Sequence, residues 1–163
     1  MGKRILVQRR GRGSPQYRAP THRRVSPSAY PPIAGGRGKG PITGFIKAIV
    51  HDPGRGTPLA RIALEDGTEY HAVATEGLAV GVEVEIGEEA PVGIGHVLPL
   101  GAIPEGTIVS NVELSPGDGG RLIRASGTYG IVSTHAAKGT SVRLPSGKSI
   151  TLSDRCRATI GVV

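Results

Sequence analysis

The sequence predicts an all-β protein made of two successive small β-barrels and an extended basic arm before them. From Ile42 onward, short runs with the alternation of half-buried strands are separated by Gly, Pro, Asn and Asp turn signals, and no segment has the period of a long helix. Residues 1–40 have neither period and contain no acidic residue. Aromatic residues are scarce, with four Tyr, one Phe and no Trp, so Val, Ile, Leu and Ala must fill the cores. We therefore expect an arm at 1–40 and barrels at 41–92 and 93–163.

The arm is strongly cationic, with ten Lys or Arg residues. Its apolar content is too low to offset the entropy lost on ordering, so we expect it to stay disordered until an anionic partner neutralises it. A plain solvated tail and an organelle transit peptide are the alternatives, although Gly and Pro interrupt the amphipathic helix that a transit peptide requires. The basic residues of the arm are Lys3, Arg4, Arg9, Arg10, Arg12, Arg18, Arg23, Arg24, Arg37 and Lys39.

Charge is divided unevenly along the rest of the chain. Residues 41–120 contain three basic and twelve acidic residues, whereas residues 121–163 contain seven basic residues and one acidic residue. With a net charge of +7, this distribution predicts a polyanionic partner contacted by two separate basic regions. No apolar run reaches the roughly 18 residues of a membrane span, and the N-terminus lacks the apolar core of a secretory signal, so we expect no membrane partner.

The first barrel is predicted from four or five short strands. The run "TGFIKAIVH" begins it, and a strong hairpin signal, Asp66-Gly67, joins "ARIAL" to "EYHAVA". In the run "VEVEI" the apolar residues alternate with Glu83 and Glu85, so we expect Val82, Val84 and Ile86 to face the core. The many carboxylates of this unit favour a solvent-facing surface or contact with a basic protein.

The second barrel is predicted from strands that resume after the Gly- and Pro-rich residues 90–107. In the last strand, alternation places Cys156 on the apolar face and both Arg155 and Arg157 on the opposite face. Arg143 likewise points away from its apolar neighbours. We expect this unit to carry a basic outer surface, which is either plainly solvated or in contact with phosphates.

The stretch "SPGDGGRLIRASG" at residues 115–127 is the most distinctive local feature. Its glycines lack a Cβ, so another backbone can approach closely, and Arg121 and Arg124 can fork onto phosphates. Ser126 and the hydroxyls that follow it can donate to phosphate or ribose. Because aromatics are few, we expect recognition of folded RNA by shape and backbone instead of base stacking.

Catalytic and metal motifs are weak. "SGKS" at residues 146–149 resembles the end of a phosphate-binding P-loop, but the earlier glycine is missing and a strand follows it where a helix should begin. The five His residues are scattered without ligand spacing, so we expect no metal site and no cofactor. His51, Asp52 and His71 leave open one enzymatic alternative, a small β-barrel nuclease.

Several strings in order resemble the universal large-subunit ribosomal protein family called L-two, in its archaeal form. They are "LSPGDGGRLIRASGTYGIVSTH" at 114–135, "VRLPSGKSITL" at 142–152 and "CRATIGVV" at 156–163, with "QRRGRGSPQYRAPTHR" at 8–23 resembling the family's N-terminal arm. The resemblance covers essentially the whole chain. It implies an oligonucleotide-binding (OB) barrel followed by an SH3-like barrel.

The resemblance also implies a non-catalytic role in the cytoplasm, within the ribosome. Large-subunit rRNA and other ribosomal proteins would be the partners, with no small-molecule substrate, and the role would be to support subunit assembly and translation. A free translation factor built from the same two barrels is the alternative. Carried over by motif, the RNA contacts would be the basic residues of the arm together with Arg121, Arg124, Ser126, Arg143, Lys148, Arg155 and Arg157.

The family continues past its second barrel into a Gly-rich basic tail that approaches the catalytic RNA. This sequence stops at Val163, so we expect the tail to be either lost or a separate chain. A role near the peptidyl-transferase centre is therefore not carried over, whereas RNA binding by the arm and barrels is.

Overall fold

The structure, a computed structural model, describes residues 2–32 and 40–163. In this part of the chain the fold is almost entirely β, as the sequence predicts. The only α-helix there, α1, spans Leu6–Arg10, and short 3-10 turns lie at Pro15–Tyr17, Thr21–Arg23 and Leu100–Ala102. The strands are β1 Ile42–Val50, β2 Leu59–Leu64, β3 Glu69–Val73, β4 Glu83–Ile86, β5 Val97–Pro99, β6 Ile108–Ser110, β7 Gly130–Ala136, β8 Gly139–Arg143, β9 Ser149–Leu152 and β10 Arg157–Ile160.

These strands form one continuous sheet that serves two separate hydrophobic cores. The strand order is β3-β2-β1-β4-β5-β10-β6-β7-β8-β9. One core is built mainly from β1–β4 and includes Ile46, Ile62 and Val84; the other is built from β5–β10 and includes Leu98 and Val132. The arrangement is an OB-fold barrel followed by an SH3-like barrel.

The two cores meet at the short parallel pairing of β4 with β5, where Ile86 lies opposite Val97. The connecting segment contributes to both sides: Ala90 packs in the second core, and Val97 packs in the first. The join is therefore a packed segment of the structure and not a free linker, and the boundary at residues 92 and 93 remains a prediction.

The predicted strands of the first barrel are confirmed. One residue that was predicted to face the core is exposed instead. The Asp66-Gly67 turn joins β2 to β3, and Gly67 adopts a φ of +82° that favours glycine. Val84 and Ile86 are buried as expected, but Val82 is 39% exposed, so its predicted core position is wrong. Val82 precedes β4 and lies in the turn that leads into it, where strand alternation does not yet apply.

The last strand corrects a second expectation. All four residues of β10 are buried, including Thr159 and also Arg157, which was expected on an exposed face. Alternation does place them opposite Ala158, but β10 lies between β5 and β6 and its other face is covered by Tyr30. The neighbouring prediction for Cys156 is confirmed: its side chain is fully buried, and burial raises the pKa of its thiol, with the charge of Glu113 adding to the effect.

The arm is only partly as predicted. Residues 2–27 are mostly exposed and include α1, a short helix that the sequence pattern did not predict. Ser28 and Tyr30, however, are buried against the barrels, so this part of the arm packs onto the folded body, whereas the whole arm was expected to stay disordered until a partner binds. Within the described residues, no helix is both long enough and apolar enough to cross a membrane.

Candidate nucleic-acid interface

Residues 28–31, called the strap below, attach the arm to both barrels. On the first barrel, the backbone N–H of Ala29 donates to the carbonyl of His71 in β3 (3.1 Å). On the second, the N–H of Tyr30 donates to the carbonyl of Gly119 (3.0 Å), and the Tyr30 hydroxyl lies 2.5 Å from Oγ1 of Thr159. The strap therefore fixes where the basic arm leaves the folded body.

Tyr30 is the anchor of the strap. Its ring packs in the first core, while its hydroxyl donates to the carbonyl of Asn111 in the second barrel (2.8 Å). The guanidinium of Arg157 lies 5.1 Å from the ring centroid, within cation–π range. Burial raises the pKa of Tyr30, so its hydroxyl stays protonated and keeps its role as a donor. One tyrosine thus joins the two cores.

Glu113 organises the glycine-rich stretch from inside the protein. Its carboxylate is fully buried and accepts from the backbone N–H groups of Gly119 (3.0 Å) and Gly117 (3.3 Å). It also accepts from Arg157 through the backbone N–H (2.8 Å), Nε (3.1 Å) and Nη2 (2.7 Å). A buried carboxylate is tolerable only with such partners, so this ion pair holds the loop in one conformation.

The glycines of residues 115–127 do permit a close backbone approach, but the approaching backbone belongs to this chain. Gly119 has a φ of +82°, and a Cβ there would stand 2.7 Å from the Cβ of Ala29 in the strap. Gly120, with a φ of +92°, would clash in the same way with Asn111. The close contact that the sequence predicted is thus made by the strap and the barrel wall.

Arg124 is also committed to the strap. Its Nη1 donates to the carbonyl of Gly120 (2.8 Å) and its Nη2 to the carbonyl of Ser28 (2.8 Å), so its side chain is partly buried. Burial lowers its pKa, and the positive charges of Arg55, Arg24 and Arg121 lower it further. These four arginines form what we call the arginine cluster, contributed by the arm, the first barrel and the second barrel.

Within the cluster, the four guanidinium groups are not equally available. Arg55 is ion-paired with the buried carboxylate of Asp52 and also donates to the carbonyl of Ser26 (2.9 Å). Arg24 and Arg121 are exposed, and neither side chain has a hydrogen bond or ion pair with any residue that the structure describes. Arg24 and Arg121 are therefore the members free to bind an anion.

The other basic residues that the structure describes also divide into side chains that have a partner and exposed side chains that have none. The three within residues 41–120 are all ion-paired: Lys47 and Arg61 with Glu69 (2.5 and 2.8 Å), and Arg55 with Asp52. Arg10 stacks on the ring of Tyr17 at 5.8 Å. Across residues 2–32 and 40–163, the predicted contacts whose side chains are exposed and form no hydrogen bond or ion pair are Lys3, Arg4, Arg9, Arg12, Arg18, Arg23, Arg24, Arg121, Arg143, Lys148 and Arg155.

The remaining predicted site residues divide into three groups. Ser126 is exposed, two residues after Arg124 in the sequence. Arg157 is inside the protein, with 6% of its side chain exposed and its guanidinium held by Glu113 and the carbonyl of Pro31, so its predicted exposure to a partner is wrong. Arg37 and Lys39 lie outside the described residues.

Asp52, the carboxylate of the nuclease alternative, is committed to structural contacts. Asp52 is buried, which by itself would raise the pKa of its carboxyl. Hydrogen bonds from the backbone of Gly54, the side chain of Arg55 and the backbone of Val25 outweigh burial and hold that pKa below its ordinary value. Asp52 therefore stabilises a turn and the entry of the arm. No group of His, Cys, Asp and Glu in the described part of the chain could hold a metal ion.

Comparison with known proteins shows two family matches that account for nearly the whole chain. The family described as "Ribosomal Proteins L2, RNA binding N-terminal domain" matches residues 3–86. The family described as "Ribosomal Proteins L2, C-terminal domain" matches residues 93–163. The chain belongs to the ribosomal protein L2 family. This confirms the resemblance seen in the sequence.

Individual archaeal members of the L2 family are similar along the full chain. "Large ribosomal subunit protein uL2" of Thermofilum pendens is 48% identical over 164 residues, that of Korarchaeum cryptofilum 49% over 163 and that of Pyrobaculum calidifontis 50% over 165. Each match covers 100% of this chain and 66%, 65% and 65% of the respective relative, so the chain spans slightly less than two thirds of their length. Membership of a ribosomal protein family also confirms the non-enzymatic assignment.

Sequence reasoning missed three residues that shape this L2 surface: Tyr30, Glu113 and Arg55. Tyr30 had a signal, because it is one of only five aromatics and stands within a Pro-rich segment that otherwise lacks apolar bulk. Glu113 follows the apolar-rich run "IVSNV" directly, which is unusual for an exposed acid. Arg55 had no local signal, since its place in the cluster depends on the strap.

Proposed function

We propose that this chain is a constituent of the large ribosomal subunit that binds large-subunit rRNA and so supports subunit assembly and translation. One observation carries the proposal. Each Lys or Arg within residues 41–120 is neutralised by a carboxylate of the protein, whereas the arm and the second barrel present exposed cations without such partners in the described residues. Cations left unpaired in this way suit the phosphates of an external polyanion.

The binding energy would come largely from phosphate neutralisation. Each cation that replaces condensed counterions on RNA releases them into solution, which makes affinity strongly dependent on salt. The arginine cluster would contribute where the arm meets the second barrel, because the charges of Arg24 and Arg121 both act on Arg124, and Arg124 is itself held to the strap at Ser28. Pre-arrangement of these cations lowers the entropy lost on binding.

The architecture supports a division of roles, and we propose the units as arm 1–40, OB-fold barrel 41–92 and SH3-like barrel 93–163. The exposed carboxylates of the first barrel, including Glu65, Glu76, Glu83 and Glu88, suit basic ribosomal proteins as neighbours. The site of action would be the ribosome in the cytoplasm. No membrane and no small-molecule substrate enters this proposal.

A salt series tests the proposal with two charge-matched variants. Arg24→Gln/Arg121→Gln removes two unpaired cations of the cluster, and Lys47→Gln/Arg61→Gln removes two cations that are paired with Glu69. Binding of the transcribed large-subunit rRNA is measured between low and moderate salt. For the cluster variant we expect the slope of log K against log salt to fall by roughly 0.7–0.9 per lost contact, and for the control we expect it to stay unchanged.

Equal slopes for the wild type and the cluster variant would contradict the placement of the RNA contacts.

Sedimentation of a lysate separates the structural role from that of a free translation factor. We expect the chain to sediment with large subunits and to stay there under moderate salt. Recovery only at the top of the gradient, with intact ribosomes below, would support the free factor instead.

A further inference from the structure

A groove on the second barrel is lined by no residue of the strap and by no arm residue that the structure describes. It has a volume of about 340 Å³ and lies where β7 begins and β8 ends, bordered by the turn into β9. Its walls include Tyr129, Ile131, Arg143, Pro145, Gly127 and Gly147. The volume lies in the range of roughly 300–1,000 Å³ that is typical of small-molecule sites, and it is large enough for one nucleoside.

One face of the β7–β8 ladder supplies the floor of this groove. Ile131 lies directly opposite Arg143 in the antiparallel register of β7 and β8, and both line the groove together with Tyr129, which stands just before β7. Tyr129 is 45% exposed. A flat aromatic face and an aliphatic side chain therefore lie next to a guanidinium.

The charges around the groove favour an anionic occupant. Arg143 is exposed and its side chain has no hydrogen bond or ion pair with any described residue, and Lys148 is exposed in the adjoining turn. None of the residues that line the groove is acidic. An apolar peptide would leave these cations unpaired, whereas a nucleotide offers both an aromatic face and a phosphate.

We infer that this groove takes one unstacked nucleobase of the bound RNA, with Tyr129 as the stacking platform and Arg143 on the neighbouring phosphate. The inference rests on the proposed function and makes it more specific. The scarcity of aromatics predicted recognition by shape and backbone alone, but one exposed ring suffices to hold one base. The second barrel would thus prefer RNA with a bulged or unpaired nucleotide over continuous duplex.

The test compares two RNAs that differ by one nucleotide: a 14-base-pair duplex and the same duplex with a central single-nucleotide bulge. Dissociation constants are measured by fluorescence anisotropy at constant salt for the full chain. For the wild type we expect tighter binding of the bulged RNA by about fivefold to a hundredfold, the range for one base–aromatic stack. Tyr129→Ala should lose this preference while its affinity for the duplex stays the same, and Tyr129→Phe should keep it.

Phe45→Ala is the matched control, because Phe45 is a similarly exposed aromatic (48%) on the first barrel and its loss should leave the preference intact. A 5-bromouridine placed at the bulge should crosslink to Tyr129 on irradiation, as read by mass spectrometry. If wild type and Tyr129→Ala bind both RNAs alike, the inference is overturned while the proposed function stands, and a protein segment becomes the better occupant. If neither RNA is bound in a salt-dependent manner, the proposed function fails and this inference fails with it.

Discussion

The ion pair between Glu113 and Arg157 connects the glycine-rich loop, the last strand and the strap, and its removal tests whether these parts depend on one another. The change is Arg157→Met, which keeps an unbranched side chain of comparable length but removes the guanidinium. The backbone N–H of residue 157 still donates to Glu113. The bonds from Nε and Nη2 to the carboxylate and from Nη1 to the carbonyl of Pro31 are lost.

The expected cost follows from these contacts. Only 6% of the Arg157 side chain and none of the Glu113 side chain is exposed, so the carboxylate would stay buried without its counter-charge. Breaking one partner of such a pair lowers the free energy of unfolding by about 3–5 kcal/mol. For a protein of this size that corresponds to a fall in Tm of roughly 6–20 °C.

Thermal and urea unfolding followed by circular dichroism provide the measurement. Arg155→Met is the matched control, because Arg155 is exposed and its side chain has no hydrogen bond or ion pair with a described residue, so we expect a change within about 0.5 kcal/mol. Adding Glu113→Gln to Arg157→Met should restore part of the loss, because the buried charge is then gone. A cost for Arg157→Met within 1 kcal/mol of that for Arg155→Met would refute the reasoning.

Three further predictions concern the strap and the first barrel. Burial places the folded-state pKa of Tyr30 above its unfolded value, so the stability linked to it is complete below about pH 10 and is lost as the pH rises further. In urea unfolding at several pH values, Tyr30→Phe should therefore lose less of its free energy of unfolding than the wild type as the pH rises above about 10. The hydrogen bond from Arg61 lowers the pKa of Glu69 to about 2, so its contribution is present above pH 4.5 and is lost as the pH falls toward 2, and Arg61→Gln should raise that pKa in an NMR titration. Gly119→Ala should destabilise the fold more than Gly117→Ala by at least about 1 kcal/mol, because both glycines have positive φ but only the Cβ at Gly119 meets the strap; equal losses in urea unfolding would contradict the docked position of the strap.

Local patterns predicted the elements of this fold well, because each depends on neighbours in the sequence. The Asp66-Gly67 pair predicted the β2–β3 hairpin, since a tight turn requires a residue that accepts positive φ. Alternation predicted the buried positions of Val84, Ile86 and Cys156. It was wrong at Val82, because that residue lies in a turn just before the strand begins.

By itself, the sequence determined the all-β class, the succession of short strands along the chain, the segregation of charge and the family. It could not determine which cations remain free, because that depends on pairs distant in the chain: Arg157 meets a carboxylate 44 residues away, and Arg124 meets the carbonyl of Ser28, 96 residues away. Alternation tells which side chains share a face of a strand, but not what covers that face. Only the tertiary structure decided that the strap covers β10 and that Arg24 and Arg121 are the exposed members of the cluster.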